Sequence, residues 1–125
     1  MTEREKNYKI GWVIAGQVAG LTHFHADVTM DDIQGVVTDG MALIDSVARD
    51  FHIVIDNRVV GNAQRASLQQ MKQFVPYMSN PHLRRVVVVL PEASDENPAD
   101  IPVETDGDTQ LIHVRTLDDA INHLK

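Results

Sequence analysis

The chain has 125 residues, 43% hydrophobic and 23% charged, which suits a single domain with one well-filled core rather than a disordered tail. No run approaches the ~20 apolar residues of a membrane-spanning helix, the opening MTEREKNYK is too charged for a signal peptide, and the absence of cysteine excludes disulfides, thiolate chemistry and cysteine zinc sites. The formal net charge of −7 gives no basic footprint for a phosphate backbone, so a cytoplasmic protein is expected, without membrane insertion and without nucleic acid.

Residues 1–7 read as a flexible lead. From Tyr8 to Ala26 the pattern predicts a hairpin: KIGWVI, a turn at Ala15-Gly16, then QVAGLTHFHA with strand alternation. Thr29 then caps a helix with Asp31 and Asp32 at its positive end. Ile33, Val37, Met41 and Ile44 recur at helical spacing and predict its core face, with Asp39 and Asp45 turned to solvent. FHIVID, Phe51 to Asp56, is a continuous apolar run suited to a strand covered on both faces.

Arg58 to Ala66 reads as a loop at that strand's carboxyl end. Ser67 and Gln70 form a capping box, and Leu68, Met71, Val75 and Met78 mark the buried stripe of a second helix, with Pro76 disturbing its last turn. RRVVVVL, Arg84 to Leu90, demands burial on both faces. Between Val86 and Val114 there is no Lys or Arg but seven acids, Glu92, Asp95, Glu96, Asp100, Glu104, Asp106 and Asp108. With three prolines and Gly107, residues 91–109 predict a long acidic loop, solvated or functional. A short strand, Gln110 to Val114, and a helix capped by Thr116 with Leu117, Ala120, Ile121 and Leu124 inward complete the order.

Strands alternating with helices after an opening hairpin predict an α/β fold: a mainly parallel mixed sheet with an antiparallel first strand and helices packed on it. The hairpin, ADVTMDDI, FHIVIDNRV, SLQQMKQFV, RRVVVVLP and HVRTLDDAINHL, taken in this order, resemble a STAS domain, the fold of bacterial anti-sigma factor antagonists. The resemblance covers about nine-tenths of the chain and implies a non-catalytic signalling and protein-interaction module. Its implied partner is an anti-sigma or kinase-like protein, met by Arg58, Arg65 and Ser67, and a homodimer is compatible with it. In phosphorylation-controlled members an Asp-Ser/Thr-Gly-like element begins the second helix and its hydroxyl accepts phosphate. Here the stretch is Gln64-Arg65-Ala66-Ser67-Leu68, without that Asp or Gly, so Ser67 is the acceptor candidate as well as a simple cap. The usual third helix is replaced by the acidic segment.

Two other readings remain. A small-molecule or lipid-binding module would use the crevice at the strands' carboxyl ends. A receiver-like phosphoacceptor would use Asp56, which otherwise serves as a polar strand end capping its loop. His23, His25 and Asp27 share one strand face and have metal-ligand chemistry, but nothing elsewhere completes a set, and a partly exposed sheet face explains them equally. No metal or cofactor is assigned, and no P-loop, G-x-S-x-G or H-E-x-x-H supports an enzyme.

Overall fold

The computed structural model describes residues 8–23, 30–45, 49–59, 67–92 and 95–124. The expected flexible lead 1–7, the Thr29 cap and most of the loop before Ser67 lie outside them. The strands are β1 (Tyr8–Ile14), β2 (Val18–His23), β3 (Phe51–Asp56), β4 (Leu83–Val89), β5 (Glu104–Asp106) and β6 (Thr109–Val114). The helices are α1 (Met30–Ile44), α2 (Leu68–Phe74) and α3 (Leu117–His123). One mixed sheet holds all six strands in the order β1-β2-β3-β4-β6-β5. Hairpins β1–β2 and β5–β6 are antiparallel, and the pairings β2–β3, β3–β4 and β4–β6 are parallel. The fold is therefore α/β, with the expected opening hairpin turning at Gly16, whose φ of 68° suits a residue without Cβ.

Alternation along the strands splits the core in two. Ala19, Leu21, Ile53, Ile55, Val86, Val88 and Leu111 form one face, packed with Val36, Ile44, Leu68, Tyr77 and Met78. Val18, Val54, Val87, Val89 and Val114 form the other, closed by Ala120 of α3. The four valines of β4 thus serve both clusters in turn, which is why that strand carries no polar alternation. Burying each contributes roughly 1.5–3 kcal/mol.

Four expectations are corrected. The buried positions of α1 are Asp32, Val36, Gly40 and Ile44. Ile44 is buried as expected, but Asp32, Val36 and Gly40 take the places expected for Ile33, Val37 and Met41, leaving Met41 36% exposed. The cause is Gly40, where an added Cβ would run into the ring of Tyr77: a missing side chain lets an aromatic in, and a hydrophobic pattern cannot register it. Asp39 does not simply face water, because the Tyr8 hydroxyl donates to its Oδ2 at 2.6 Å. In the acidic segment, Pro98–Asp100 forms a 3-10 turn capped by Asn97, the short helical turn that the loop reading allowed, but Glu104–Asp106 is an edge strand rather than loop. Leu117, expected inside, is 37% exposed at the start of α3. Beyond α2 the chain continues as a 3-10 turn, Pro76–Ser79, so the irregularity expected at Pro76 is present.

Candidate functional site

The carboxyl ends of β3 and β4 are tied together by backbone bonds. Asn57 N–H donates to the Val89 carbonyl at 3.1 Å, and Glu92 N–H to the Arg58 carbonyl at 3.0 Å. Asp56 ends β3 with its side chain 7% exposed. Its Oδ1 accepts from the Arg58 N–H at 3.1 Å and from Nε at 2.9 Å, while Oδ2 accepts from Nη2 at 2.8 Å. This two-pronged geometry is the strong form of a carboxylate–guanidinium pair. Hydrogen bonding to Asp56, reinforced by its charge, raises the Arg58 pKa above its usual value. Asp56 therefore acts as a strand end that fixes its own loop.

Ser67 begins α2 in an extended conformation, φ −75° and ψ 163°. Its Oγ accepts from Gln70 N–H at 3.1 Å, and Gln70 Oε1 accepts from Ser67 N–H at 2.9 Å. The capping box read from the sequence is thus formed in both directions. The acidic segment meets the same helix. Leu68 N–H donates to Glu104 Oε1 at 3.4 Å, and Lys72 Nζ pairs with Asp106 Oδ2 at 2.7 Å. Sequence reasoning missed these two acids as structural because it placed both in a loop. Arg58 and Ser67 both follow β3, and Arg65, the third expected partner residue, lies outside the described residues.

A concavity of about 740 Å³ opens between β6, α3 and the 3-10 turn Pro98–Asp100. Ile101, Val103, Ile112 and Val114 give it apolar walls; His113, Arg115 and Asp119 add polar groups. Arg115 Nη1 donates to the Pro91 carbonyl at 3.3 Å and Nη2 donates to the Glu96 carbonyl. One side chain thereby fastens the chain that leaves β4 at two carbonyls. The volume lies within the range of small-ligand sites.

His23 is the last residue of β2, while its side chain, His25 and Asp27 are outside the described residues. Among the described residues no group of three His, Cys, Asp or Glu could hold a metal ion. Trp12, within β1, is partly buried against the larger core cluster. No helix among the described residues is long and apolar enough to cross a membrane. Comparison of the chain with protein-family models, with curated proteins and with solved structures gives no match.

Proposed function

We propose that the protein is a non-catalytic, STAS-like regulatory module that acts in the cytoplasm by binding a protein partner of the anti-sigma or kinase-like kind. The carrying observation is the position of the Ser67 hydroxyl. It stands at the first turn of the helix that follows β3, in a sheet whose antiparallel hairpin feeds parallel strands. That is where the STAS resemblance calls for a phosphate-accepting hydroxyl. A phosphate on Ser67 would add nearly two negative charges at the first turn of α2. The chain changes its partner affinity there, with Arg58 and Arg65 supplying the guanidinium groups favoured at interfaces.

The test is phosphate mapping by mass spectrometry after incubation with ATP and an extract of the source cells. Modification of Ser67, lost in Ser67→Ala, supports the module. A base-labile phosphate on Asp56 supports the receiver-like reading instead. A small molecule or lipid that co-purifies in native mass spectrometry, with Ser67 unmodified, supports the ligand-binding reading.

A further inference from the structure

Three parallel strands, β2, β3 and β4, begin at one end of the sheet, opposite the end that leads to Arg58 and Ser67. A cleft of about 570 Å³ opens at this amino end. Gln17 at the entry to β2, Arg49, Asp50 and His52 at the entry to β3, and His82 before β4 line it.

Two guanidinium groups at this end are held by neutral carbonyls. Arg49, in the cleft wall, donates from Nε to the Gly16 carbonyl at 3.2 Å and from Nη2 to the Ala15 carbonyl at 3.4 Å. A Cβ at residue 16 would lie 2.8 Å from that Nη2, so the turn glycine lets the guanidinium settle on the hairpin. Arg85 stands opposite His52 in the strand register, outside the cleft lining. Its Nη1 donates to the His123 carbonyl at 2.5 Å and so covers the negative end of α3. No ion pair among the described residues takes up either arginine. In a chain with 18 acids against 11 Lys and Arg, fixed positive charge is left over at this one end.

Asp50 is the one acid among the described residues lining the cleft, and it is already matched. Arg84 donates from Nη2 to Oδ1 at 3.1 Å, its Nε lies 3.1 Å from Oδ2, and His82 Nδ1 is 3.6 Å from Oδ1. The surplus is therefore positive, and its field reaches His52: after burial, the charge of Arg85 is the next cause holding that imidazole below its ordinary pKa. His52 Nδ1 is buried, so the ring meets a ligand through Nε2. The Gln17 amide, the Arg49 guanidinium and two imidazoles are donors to oxygen around one space, and such a set suits a phosphoryl group. The space is larger than a bare oxyanion and falls in the range of small-ligand sites, with Val18 and Leu124 as apolar wall. We propose that this cleft binds the phosphoryl group of a small organic molecule, with Arg49 as its charged anchor. Open parallel sheets ordinarily use the carboxyl ends of their strands; here the surplus charge lies at the amino ends. The site depends neither on the STAS reading nor on Ser67.

The test titrates the full-length, ¹⁵N-labelled protein with phenyl phosphate at constant ionic strength. Expected are shifts confined to 16–18, 49–52, 82–85 and 123–124. The His52 titration midpoint, set in the free protein among Arg49, Asp50, His82 and Arg85, should rise at saturation because an adjacent anion favours imidazolium. Arg49→Gln should weaken binding about tenfold while the spectrum stays dispersed. Gln17→Glu, at an exposed position in the lining, should also weaken it by placing a carboxylate in the cleft, and serves as the second variant if Arg49→Gln misfolds. Inorganic phosphate is expected to bind less tightly than phenyl phosphate; equal binding keeps the phosphoryl site and assigns it to free phosphate. The proposal is overturned by shifts that map elsewhere or by no shifts at millimolar phenyl phosphate. It is also overturned if phenol binds as tightly as phenyl phosphate, or if both variants bind unchanged.

Discussion

Arg58 closes back onto Asp56, its guanidinium holding both carboxylate oxygens of the residue two positions before it, on a side chain that is itself 43% exposed. The inequality of burial sets the consequence of cutting the pair. Arg58→Ala takes the guanidinium away from a carboxylate whose side chain is only 7% exposed. Unfolding in urea should show a loss of about 1–3 kcal/mol, reduced from the fully buried case by the exposed guanidinium. Arg58→Lys should recover only part, because an ammonium cannot reproduce the fork. An unchanged urea midpoint in Arg58→Ala would show that the pair contributes nothing.

Gly40 owes its place to Tyr77. A Cβ at residue 40 would fall 2.5–2.7 Å from three atoms of that side chain, whose hydroxyl donates to the Val36 carbonyl at 3.3 Å. Gly40→Ala gains about 1 kcal/mol of helix propensity but overpacks by about 1–3 kcal/mol. A net lowering of the melting temperature is expected, with Tyr77→Leu in the same chain relieving the clash. A melting temperature raised by Gly40→Ala alone would contradict this packing.

The same glycine shows what could and could not be read beforehand. The Ser67–Gln70 box and the β4 valines were legible because a capping signal is local and a run of β-branched residues has few other uses. The buried face of α1 was displaced because tertiary packing put Tyr77 where the pattern had only a gap. β5 escaped because Glu-Thr-Asp has little intrinsic preference for a strand. The Gly107-Asp108 pair was its available signal, a dipeptide suited to a two-residue hairpin. At the site, the Ser67 environment was foreseen, whereas Glu104 and Asp106 reach α2 only through a hairpin not recognised in the sequence.

Ser67 should show separable structural and regulatory effects. Ser67→Ala removes the acceptor for Gln70 N–H and is expected to cost about 0.5–2 kcal/mol in chemical denaturation. Ser67→Asp keeps an acceptor and should retain most of the stability. If the proposed regulation operates, Ser67→Asp alone should change affinity for the protein partner, measured by calorimetry. Equal affinities for wild type and Ser67→Asp would reduce the residue to a cap.

Tyr8 links alkaline pH to stability. Burial, with the hydrogen bond to Asp39 and that carboxylate's charge, pushes its pKa up to about 12. The folded state thus favours the neutral phenol. The associated stabilisation is complete below the unfolded value near 10, and is lost as pH climbs through 10 to 12. Urea midpoints across that window should fall more steeply for wild type than for Tyr8→Phe. Parallel pH curves would argue against the Tyr8–Asp39 bond.

His52 acts at the other end of the scale. Burial first, then the charge of Arg85, lowers its pKa, and its Nδ1 is buried without a hydrogen-bond partner among the described residues. The folded state prefers neutral imidazole, so stability attributable to this group is whole above about pH 6.5 and declines as pH falls through the depressed value. NMR titration should find the His52 midpoint below the ordinary histidine value. A midpoint at or above the ordinary histidine value would refute the assignment.

The strand order has a bearing on how the chain is made. Through β4, every described strand lies beside its immediate predecessor in the chain. Only the closing hairpin inserts β6 ahead of β5. A nascent chain leaving the ribosome can therefore extend its sheet outward one strand at a time, with no early strand held open for a late partner. Synthesis reaches α3 only after all the described strands, so the valine face of β4 and β6 goes without that helical cover until the end. That interval, rather than strand pairing, is when this protein would most need a chaperone.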